Sequence, residues 1–280
     1  LMHSGLLRHD ETLDRGGEEV AAIELSGRPN DDVQTPVALL HDYESLWIYD
    51  EQPHSEEASY WRQVMLFYGA LRSLGIDVDI RHPDADLSGY RLVVAPALQL
   101  MGDERARHLT EAARTAQLIF GPRTAYRTPS GRVYEDGQPG PLRDLLGLRL
   151  LNFDGLRPGL GVQVGTHPVE TWAESYEPLG GEVTHTYADG PVAGQAAVVR
   201  NGNVTTVGAW SPSLIAEILT TLLAELQIPT TQLPDGVRVA RRGAITTWMN
   251  FNLEPVTLAD GTTLSPVSFQ QRTQEANRRK

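Results

Sequence analysis

The stretch that decides the fold runs from Pro36 to Ile80 and reads PVALLHDYESLWIYDEQPHSEEASYWRQVMLFYGALRSLGIDVDI. It begins with the unbroken apolar run of residues 37–40, which is typical of a strand covered on both faces. Residues 41–54, rich in charged and aromatic side chains, are predicted to form a loop. Apolar side chains then recur at three- and four-residue steps, which predicts a helix with Ser55 as its N-cap. The alternating residues 76–80 predict a second strand, nearer an edge of the sheet.

This strand, helix and second strand make a βαβ unit, whose crossover is expected to be right-handed. Because both flanking strands are apolar, the helix must cover one face of the sheet. The residues expected to point inward are Trp61, Val64, Tyr68 and Leu71. Those expected in water or at an interface rim are Arg62, Gln63 and Arg72.

The following segments repeat the alternation of strand and helix. Residues 92–95 and 117–120 are predicted strands, and a helix capped by Asp103 and ending near residue 115 lies between them. Strands that alternate with helices at this spacing predict an α/β fold with a doubly wound, mostly parallel sheet. A Rossmann dinucleotide site is not expected, because no G-x-G-x-x-G follows any of these strands.

The second half of the chain is predicted to be mainly β-structure. Residues 121–159 are broken by glycine and proline, with one short helix at 141–146. Asn201-Gly202 predicts a tight hairpin in which both residues take positive φ. A helix is predicted at 211–227, and a small antiparallel module follows the boundary at 229–236. The other predicted strands are residues 162–164, 171–176, 183–187, 196–200 and 204–207.

Composition excludes several classes of site. The chain has 280 residues and no cysteine, so disulfides, thiolate zinc sites and cysteine nucleophiles are ruled out. A net charge of -12 argues against a nucleic-acid surface. No apolar run approaches the roughly 20 residues of a membrane span and no signal peptide is visible, so we expect a cytoplasmic protein without membrane contact. No cofactor or metal is expected, since the histidines lack ligand spacing. They are His41, His54, His82 and His108.

Five stretches, in consistent order, resemble β-galactosidases of glycoside hydrolase family 42. They read VALLHDYES, SLGIDVDI, PDADLSGYRLVVAPALQL, YEDGQPGPLRDLLGLRLLNFDGLRPG and DGVRVARR, and the match covers residues 33–269. Residues 3–20 are similar to the end of the last βα unit of that family's (β/α)8 barrel. The resemblance implies a flavodoxin-like trimerisation domain, related in fold to class I glutamine amidotransferases, and hence a homotrimer.

The resemblance also implies a domain organisation. Residues 1–32 are expected to be the remnant of a barrel end and a linker, and residues 33–228 the α/β trimerisation domain. Residues 229–269 are expected to form a small antiparallel β domain, and residues 270–280 a frayed tail.

Catalysis is not expected from this chain alone. The family's acid/base and nucleophile glutamates belong to barrel strands, and no residue here matches either motif. A galactoside substrate is therefore implied only through the barrel. A serine triad stays open by composition, although no G-x-S-x-G elbow supports one.

The most prominent polar cluster follows the first strand and comprises Asp42, Glu44, Asp50 and Glu51. Ligands bind at the carboxyl ends of parallel strands in doubly wound folds, so this cluster is either a site, a surface that faces a neighbouring subunit, or a solvated loop. The candidate substrate-binding or interface residues are Tyr43, Glu44, Trp47 and Tyr49. Aromatic rings beside carboxylates suit sugar platforms, but Trp and Tyr also anchor subunit interfaces, which the resemblance favours.

Three hypotheses follow. The leading one is the non-catalytic oligomerisation portion of a β-galactosidase. The second is a free-standing sugar-binding or scaffold protein that uses the same fold. The third is an enzyme with an unrecognised site at residues 42–51. Outside these residues, Trp172, Trp210 and Trp248 are interpreted as core.

Overall fold

A computed structural model describes residues 5–21, 35–53, 55 and 57–273. Residues 22–32 of the expected barrel remnant and linker, residues 274–280 of the expected tail, and His54 lie outside the described residues. The helices are α1 (Arg15–Ala21), α2 (Tyr43–Glu51), α3 (Tyr60–Ser73), α4 (Asp103–Ala112), α5 (Arg143–Leu146) and α6 (Pro212–Glu225), with a 3₁₀ turn at Gly140–Leu142. The strands are β1 (Val37–Leu40), β2 (Asp79–Arg81), β3 (Leu92–Ala95), β4 (Gln117–Phe120), β5 (Leu148–Gly155), β6 (Val162–Val164), β7 (His167–Val169), β8 (Trp172–Pro178), β9 (Glu182–Thr186), β10 (Ala196–Asn201), β11 (Val204–Val207), β12 (Val237–Arg242), β13 (Ile245–Asn250), β14 (Val256–Thr257), β15 (Thr263–Leu264) and β16 (Ser268–Thr273).

A nine-stranded mixed sheet forms the centre of the protein. Its strands follow the order β2-β1-β3-β4-β11-β10-β8-β5, and β9 pairs with β10 beside that path. The pairings of β1 with β2 and β3, of β3 with β4, and of β4 with β11 are parallel. The pairings of β10 with β8, β9 and β11, and of β5 with β8, are antiparallel. The parallel prediction is therefore confirmed for five neighbouring strands, and β2 lies at the edge as expected.

Helices cover both faces of the parallel half, as the apolar strands predict. One core packs α3 and α6 against Leu39 and Val94. The other packs α4 and α5 against Leu40, Val93 and Phe120. Successive side chains of a strand point to opposite faces, so neighbouring residues of β1 serve both cores. Each fully buried aliphatic side chain contributes about 1.5–3 kcal/mol.

Most of the predicted loop at residues 41–54 is helical, because α2 occupies it. Asp42 is the N-cap, and its carboxylate accepts hydrogen bonds from the N–H of Ser45 at 3.1 Å and from the Ser45 hydroxyl at 2.5 Å. The Ser45 hydroxyl oxygen in turn accepts from the N–H groups of Gln99 and Leu100, both at 3.1 Å. A strong N-cap and these tertiary hydrogen bonds fix a short helix whose charge-rich sequence suggests a loop.

Helix α3 begins at Tyr60, later than predicted, since Ser59 rather than Ser55 is its N-cap. The Ser59 hydroxyl accepts from the N–H of Arg62 at 3.2 Å. The Ser55 hydroxyl accepts from the N–H of Ala58 at 3.1 Å in a separate turn. Each serine precedes its donor by three residues, so the sequence offers the same capping signal twice.

The inward face of α3 differs in part from the prediction. Val64 and Leu71 are buried and Tyr68 is half-buried, as expected. Trp61 is 50% exposed, however, and Phe67, outside the predicted stripe, is fully buried. The helix is thus rotated about its axis relative to the predicted orientation.

Two polar residues expected in water, Gln63 and Arg72, are buried instead. The Gln63 side-chain amide donates to the carbonyl of Pro122 at 2.7 Å and to that of Pro96. The Arg72 guanidinium donates to the carbonyl of Val239 at 2.6 Å. Buried polar groups are tolerated when such bonds satisfy them, and the partners here lie far away in sequence. Periodicity cannot reveal partners of this kind.

The β10–β11 hairpin is confirmed, but its turn is shifted by one residue. Asn201 pairs with Val204, which leaves Gly202 and Asn203 as the turn residues. Of these two, Gly202 has a positive φ of 56°. One positive φ at the first turn position is the type II′ geometry, in place of the two positive values expected.

Besides β15 and β16 of the small module, β5 and β7 lie where no individual strand is predicted. β5 is an edge strand whose residues beyond Leu148 are largely exposed, so its sequence lacks the apolar alternation of a half-buried strand. At the other end, residues 270–273 belong to β16 instead of the expected tail.

A small antiparallel module follows the larger sheet in the chain and contacts the end of α3. It contains the sheet β12-β13-β16 and the pair β14-β15. Arg241 joins it to the end of α3, because its guanidinium donates to the carbonyl of Gly75 at 2.7 Å. Its N–H also donates to the carboxylate of Asp77 at 3.2 Å. In the described part of the chain, no helix is long and apolar enough to cross a membrane.

The orientation of α3 is tested by a matched pair of substitutions. Val64→Asp places a charge without a partner in the core between α3 and the sheet, and we expect it to cost several kcal/mol. Arg62→Ala removes an exposed side chain and should change the free energy of unfolding by less than about 0.5 kcal/mol. Urea melts measure both, and equal midpoints would mean that the described face is not the buried one.

Candidate functional site

The four candidate residues lie on α2, and the structure separates them. Tyr43 and Trp47 are each 59% exposed, one helical turn apart on the same face. Glu44 beside them is also exposed. Tyr49 is fully buried, and its hydroxyl donates to the side-chain oxygen of Gln63 at 3.2 Å. Tyr49 is therefore part of the core, and three of the four candidates remain on the surface.

The exposed candidates belong to a larger apolar face that the sequence does not reveal. We call it the aromatic surface and define it by Tyr43, Trp47, Trp61, Met65 and Ile80, which are 50–59% exposed. The Tyr43 and Trp47 rings lie 6.4 Å apart. All members except Trp47 line one groove of about 450 Å³ beside the edge strand β2. Periodicity predicts that Trp61 points inward. The observed rotation of α3 instead turns Trp61 outward, beside the other members of the aromatic surface.

His41 lies among these rings. Its ring centroid is 4.6 Å from that of Tyr43 and 4.8 Å from that of Trp61. Burial lowers the pKa of His41, the charge of Asp42 opposes this effect, and His82 adds to it. The fold therefore favours neutral His41, and this contribution to stability is lost as pH falls from about 6.5 toward the lowered pKa. Near neutral pH the His41 ring between Tyr43 and Trp61 is therefore uncharged.

An ion-pair network fixes the N-terminal end of α2 to α4. The Arg105 guanidinium donates to both carboxylate oxygens of Asp84, at 2.7 and 2.8 Å, and to the Asp42 carboxylate at 3.3 Å. The hydrogen bond from Arg105 holds the pKa of Asp84 below its usual range. Arg105 lies on α4, so the network joins α4 to the N-cap of α2 at the carboxyl ends of β1 and β3. The aromatic surface thus rests on a fixed support.

The acidic cluster of α2 does not form one site. Asp42 is buried as the N-cap, whereas Asp50 and Glu51 are exposed at the other end of the helix, about 12 Å away at 1.5 Å per residue. Glu44 lines a separate cavity of about 400 Å³ with Asp84, Glu104 and Arg105. These carboxylates are distributed around the helix and do not converge on a common point.

Glu174 on β8 is a buried carboxylate that the sequence analysis missed. Its side chain accepts four hydrogen bonds, which come from the N–H of Arg123 at 2.7 Å, the Tyr126 hydroxyl at 2.8 Å, the Trp172 indole N–H at 2.8 Å and the Tyr176 hydroxyl at 2.7 Å. Burial raises the pKa of Glu174, and these bonds oppose that effect. A signal exists in the sequence, since Trp172 and Tyr176 stand two residues on either side and share a strand face with Glu174.

Arg123 stands next to this carboxylate in a constrained turn. It follows β4 with a φ of 63°, a left-handed conformation uncommon for a residue other than glycine. Its guanidinium is buried and lies 3.9 Å above the ring centroid of Tyr49. Arg123 and Glu174 thus tie β4, β8 and α2 together in the interior. Their full burial favours a structural role.

The remaining expectations concern histidine and tryptophan. No group of three histidine or acidic side chains in the described part of the chain could hold a metal ion. Trp172 and Trp210 are buried, as expected for core residues, and Trp248 is partly buried against the core of the β module.

Comparisons with known proteins show which family this architecture belongs to. Residues 35–231 match the family described as "Beta-galactosidase trimerisation domain". The β-galactosidase BgaH of Haloferax lucentense is 38% identical over 91% of this chain and 40% of its own length. The β-galactosidase of Thermus thermophilus is also 38% identical, over 91% of this chain and 39% of its own length. The structure of a β-galactosidase from Halorubrum lacusprofundi aligns with a TM-score of 0.83 at 34% identity, over 98% of this chain and 45% of that one.

The fold and the matched residues define an α/β domain of the kind used for subunit assembly. The chain belongs to the family of β-galactosidase trimerisation domains. Its place in such a protein is that of the oligomerisation portion, as the sequence predicts. The chain spans about 40% of the length of the curated relatives it matches.

The buried carboxylate supplies a second test of the structure. Glu174→Ala leaves four buried donors without an acceptor, so we expect a loss of at least about 3 kcal/mol. The matched control is Glu177→Ala on the same strand, which removes a solvent-exposed ion pair with Arg149 and should cost less than about 1 kcal/mol. Thermal or urea unfolding compares the two variants. A similar small loss in both would contradict the buried network.

Proposed function

We propose that this chain assembles as a homotrimer and that the aromatic surface forms part of the subunit interface. Membership of a trimerisation-domain family supports the trimer. The aromatic surface supports the location, because it presents two tryptophans, a tyrosine, a methionine and an isoleucine to solvent on one face. Trp and Tyr are enriched among the residues that carry most of the binding energy in protein interfaces. The single observation that carries this proposal is that these five apolar side chains are exposed next to one another on one face.

Preorganisation supports the same assignment. Tyr43 and Trp47 project from a helix that is held by its N-cap, by Ser45 and by Arg105. A surface on a rigid support loses less conformational freedom on binding than a loop does. The rigid support of the aromatic surface therefore favours its use as a subunit interface.

We propose further that the parent enzyme hydrolyses terminal β-galactosides, since the similar proteins are named β-galactosidases. Retaining glycoside hydrolysis needs two carboxyl groups about 5–5.5 Å apart across the scissile bond. The candidate carboxylates on α2 are dispersed, and Glu174 is sealed in the interior. We assign catalysis to a barrel outside these 280 residues, and to this chain no catalytic residue and no cofactor.

The finer structural assignments belong to the same proposal. The order β2-β1-β3-β4-β11 corresponds to the flavodoxin-like order, which supports that fold class for the α/β domain. We place this domain at residues 33–228 and the β module at 229–273, extended from 269 by β16. Residues 1–32 are assigned to the end of the barrel.

If the aromatic surface lies in the interface, the trimer of the double variant Trp47→Ala, Trp61→Ala should dissociate into monomers. Each tryptophan at the centre of an interface contributes about 2 kcal/mol or more, so the concentration needed for assembly should rise by a factor of roughly 100 or more. Sedimentation velocity across a dilution series measures this shift. Both side chains are at least half exposed, so the fold should be retained, and circular dichroism checks that it is.

A control variant has equal exposure on another face. Leu160 and Leu179 are 62% and 49% exposed and lie outside the aromatic surface. Their replacement by alanine should leave assembly unchanged. If the tryptophan variant remains as trimeric as this control, the aromatic surface is not in the interface.

The catalytic assignment predicts no turnover of an aryl β-galactoside by the purified 280-residue chain. A positioned acid and a nucleophile are both required, and binding energy alone cannot replace them. Release of the aryl group measures the activity. Turnover that disappears after a substitution within this chain would overturn the assignment.

A further inference from the structure

His41 is a titratable group inside the groove of the aromatic surface. It follows β1, and its backbone N–H donates to the carbonyl of Arg81 at 2.9 Å, which fixes the residue beside the edge strand β2. Its ring lines the groove of about 450 Å³ together with Tyr43 and Trp61. A positive charge on this ring would therefore lie within the proposed contact surface.

Three aromatic rings enclose His41. Besides Tyr43 and Trp61, Tyr60 of α3 has its ring centroid 5.3 Å from that of His41, at an interplanar angle of 87°. The Tyr60 hydroxyl accepts a hydrogen bond from the N–H of Asp42 at 2.8 Å, which fixes this ring in turn. The imidazole of His41 is therefore packed between α2 and α3.

This packing leaves the Nε2 atom of His41 buried, with no hydrogen-bond partner among the described residues. A neutral imidazole can carry its single proton on the other nitrogen, Nδ1. The imidazolium carries a proton on both nitrogens, so protonation of His41 creates a buried N–H donor without an acceptor. Such a donor is unfavourable, and so is a charge among apolar rings.

The charged groups around His41 act in both directions. Burial is the largest effect and lowers the pKa of His41, whereas the negative charge of Asp42 raises it. His82, whose ring nitrogen lies 3.8 Å from the Asp42 carboxylate, lowers the pKa of His41 further. The other described titratable groups that face the ring or line the groove are Tyr43, Tyr60, Tyr68 and Arg81. Tyrosine and arginine side chains keep their charge state in the pH range in which histidine titrates.

A subunit that covers the groove removes water from the part of His41 that is still accessible. The residue is half-buried in the separate chain, so a cover makes the charged ring less favourable than it already is. Protonation of His41 and contact at the groove therefore oppose each other. The contact has its full strength above the pKa of His41 in the separate chain, and it weakens as the pH falls below that value.

We infer that His41 is a proton switch for the aromatic surface, so that subunits of the trimer hold together through this surface while the His41 ring is uncharged and separate when it is protonated. The inference rests on the proposed trimer and concerns its regulation. It does not depend on which surface of the neighbouring subunit meets the groove, because any apolar cover removes the same water from the ring.

Acidification of the full 280-residue chain tests this switch. Sedimentation velocity measures assembly from about pH 8 downward, and NMR of chain labelled at histidine follows the protonation of His41. The His41 signal is assigned by its absence from the variant His41→Phe. Below the pKa of His41, the concentration needed for assembly should rise about tenfold or more per pH unit, because each covered groove must release a proton. Loss of assembly should coincide with protonation of His41.

Two variants serve as controls, and circular dichroism checks that each remains folded at every pH. His41→Phe keeps an aromatic ring at this position but cannot be charged, so its assembly should change by less than about threefold over the same range. His82→Asn removes the neighbouring histidine, whose side chain is 54% exposed, and should retain the pH dependence.

The outcomes separate the switch from the trimer on which it rests. If His41→Phe loses assembly on acidification as steeply as the unmodified chain, or if His82→Asn no longer responds to pH, another group governs the effect and the switch is wrong, while the proposed trimer stands. A trimer that persists after the NMR signal shows a protonated His41 would also overturn the switch. A chain that is monomeric at every pH would contradict the proposed trimer itself, and the switch with it.

Discussion

Strands β1 and β3 consist entirely of apolar residues and are buried along their whole length, and this burial on both faces governs the rest of the fold. A strand of this kind must be covered twice, which places α3 and α6 on one side of the sheet and α4 and α5 on the other. Little apolar surface of the parallel half remains for solvent. The aromatic side chains exposed at its edge are therefore exceptions, and we propose that they contact another subunit.

Polar interactions then fix the position of the aromatic surface. Asp42 begins α2, Ser45 ties it to the segment after β3, and Arg105 joins it to α4. On the interior side, the backbone N–H of Arg123 donates to the Glu174 carboxylate and so connects β4 and β8 beneath Tyr49. Asp42, Ser45 and Glu174 are thus bound to groups within the fold, which agrees with a domain devoted to assembly.

The sequence predicts the parts of this fold that depend on local apolar patterns. The strands at residues 92–95 and 117–120 and the helix after Ser211 lie where periodicity places them. Helix α2 is missed because one capping aspartate and tertiary hydrogen bonds define it, and its apolar periodicity is weak. Gln63 is misplaced because its partners are backbone carbonyls 33 and 59 residues away. The aromatic surface is predicted only through Tyr43 and Trp47, since the rest of it depends on the rotation of α3.

The central claim is that the chain carries within itself what it needs to assemble. Light scattering coupled to size exclusion, applied to the unmodified chain over a dilution series in the micromolar range, tests this claim most directly. We expect a mass of three times the 30.8 kDa of one chain, with dissociation only on dilution. A mass of 30.8 kDa at every concentration would contradict it.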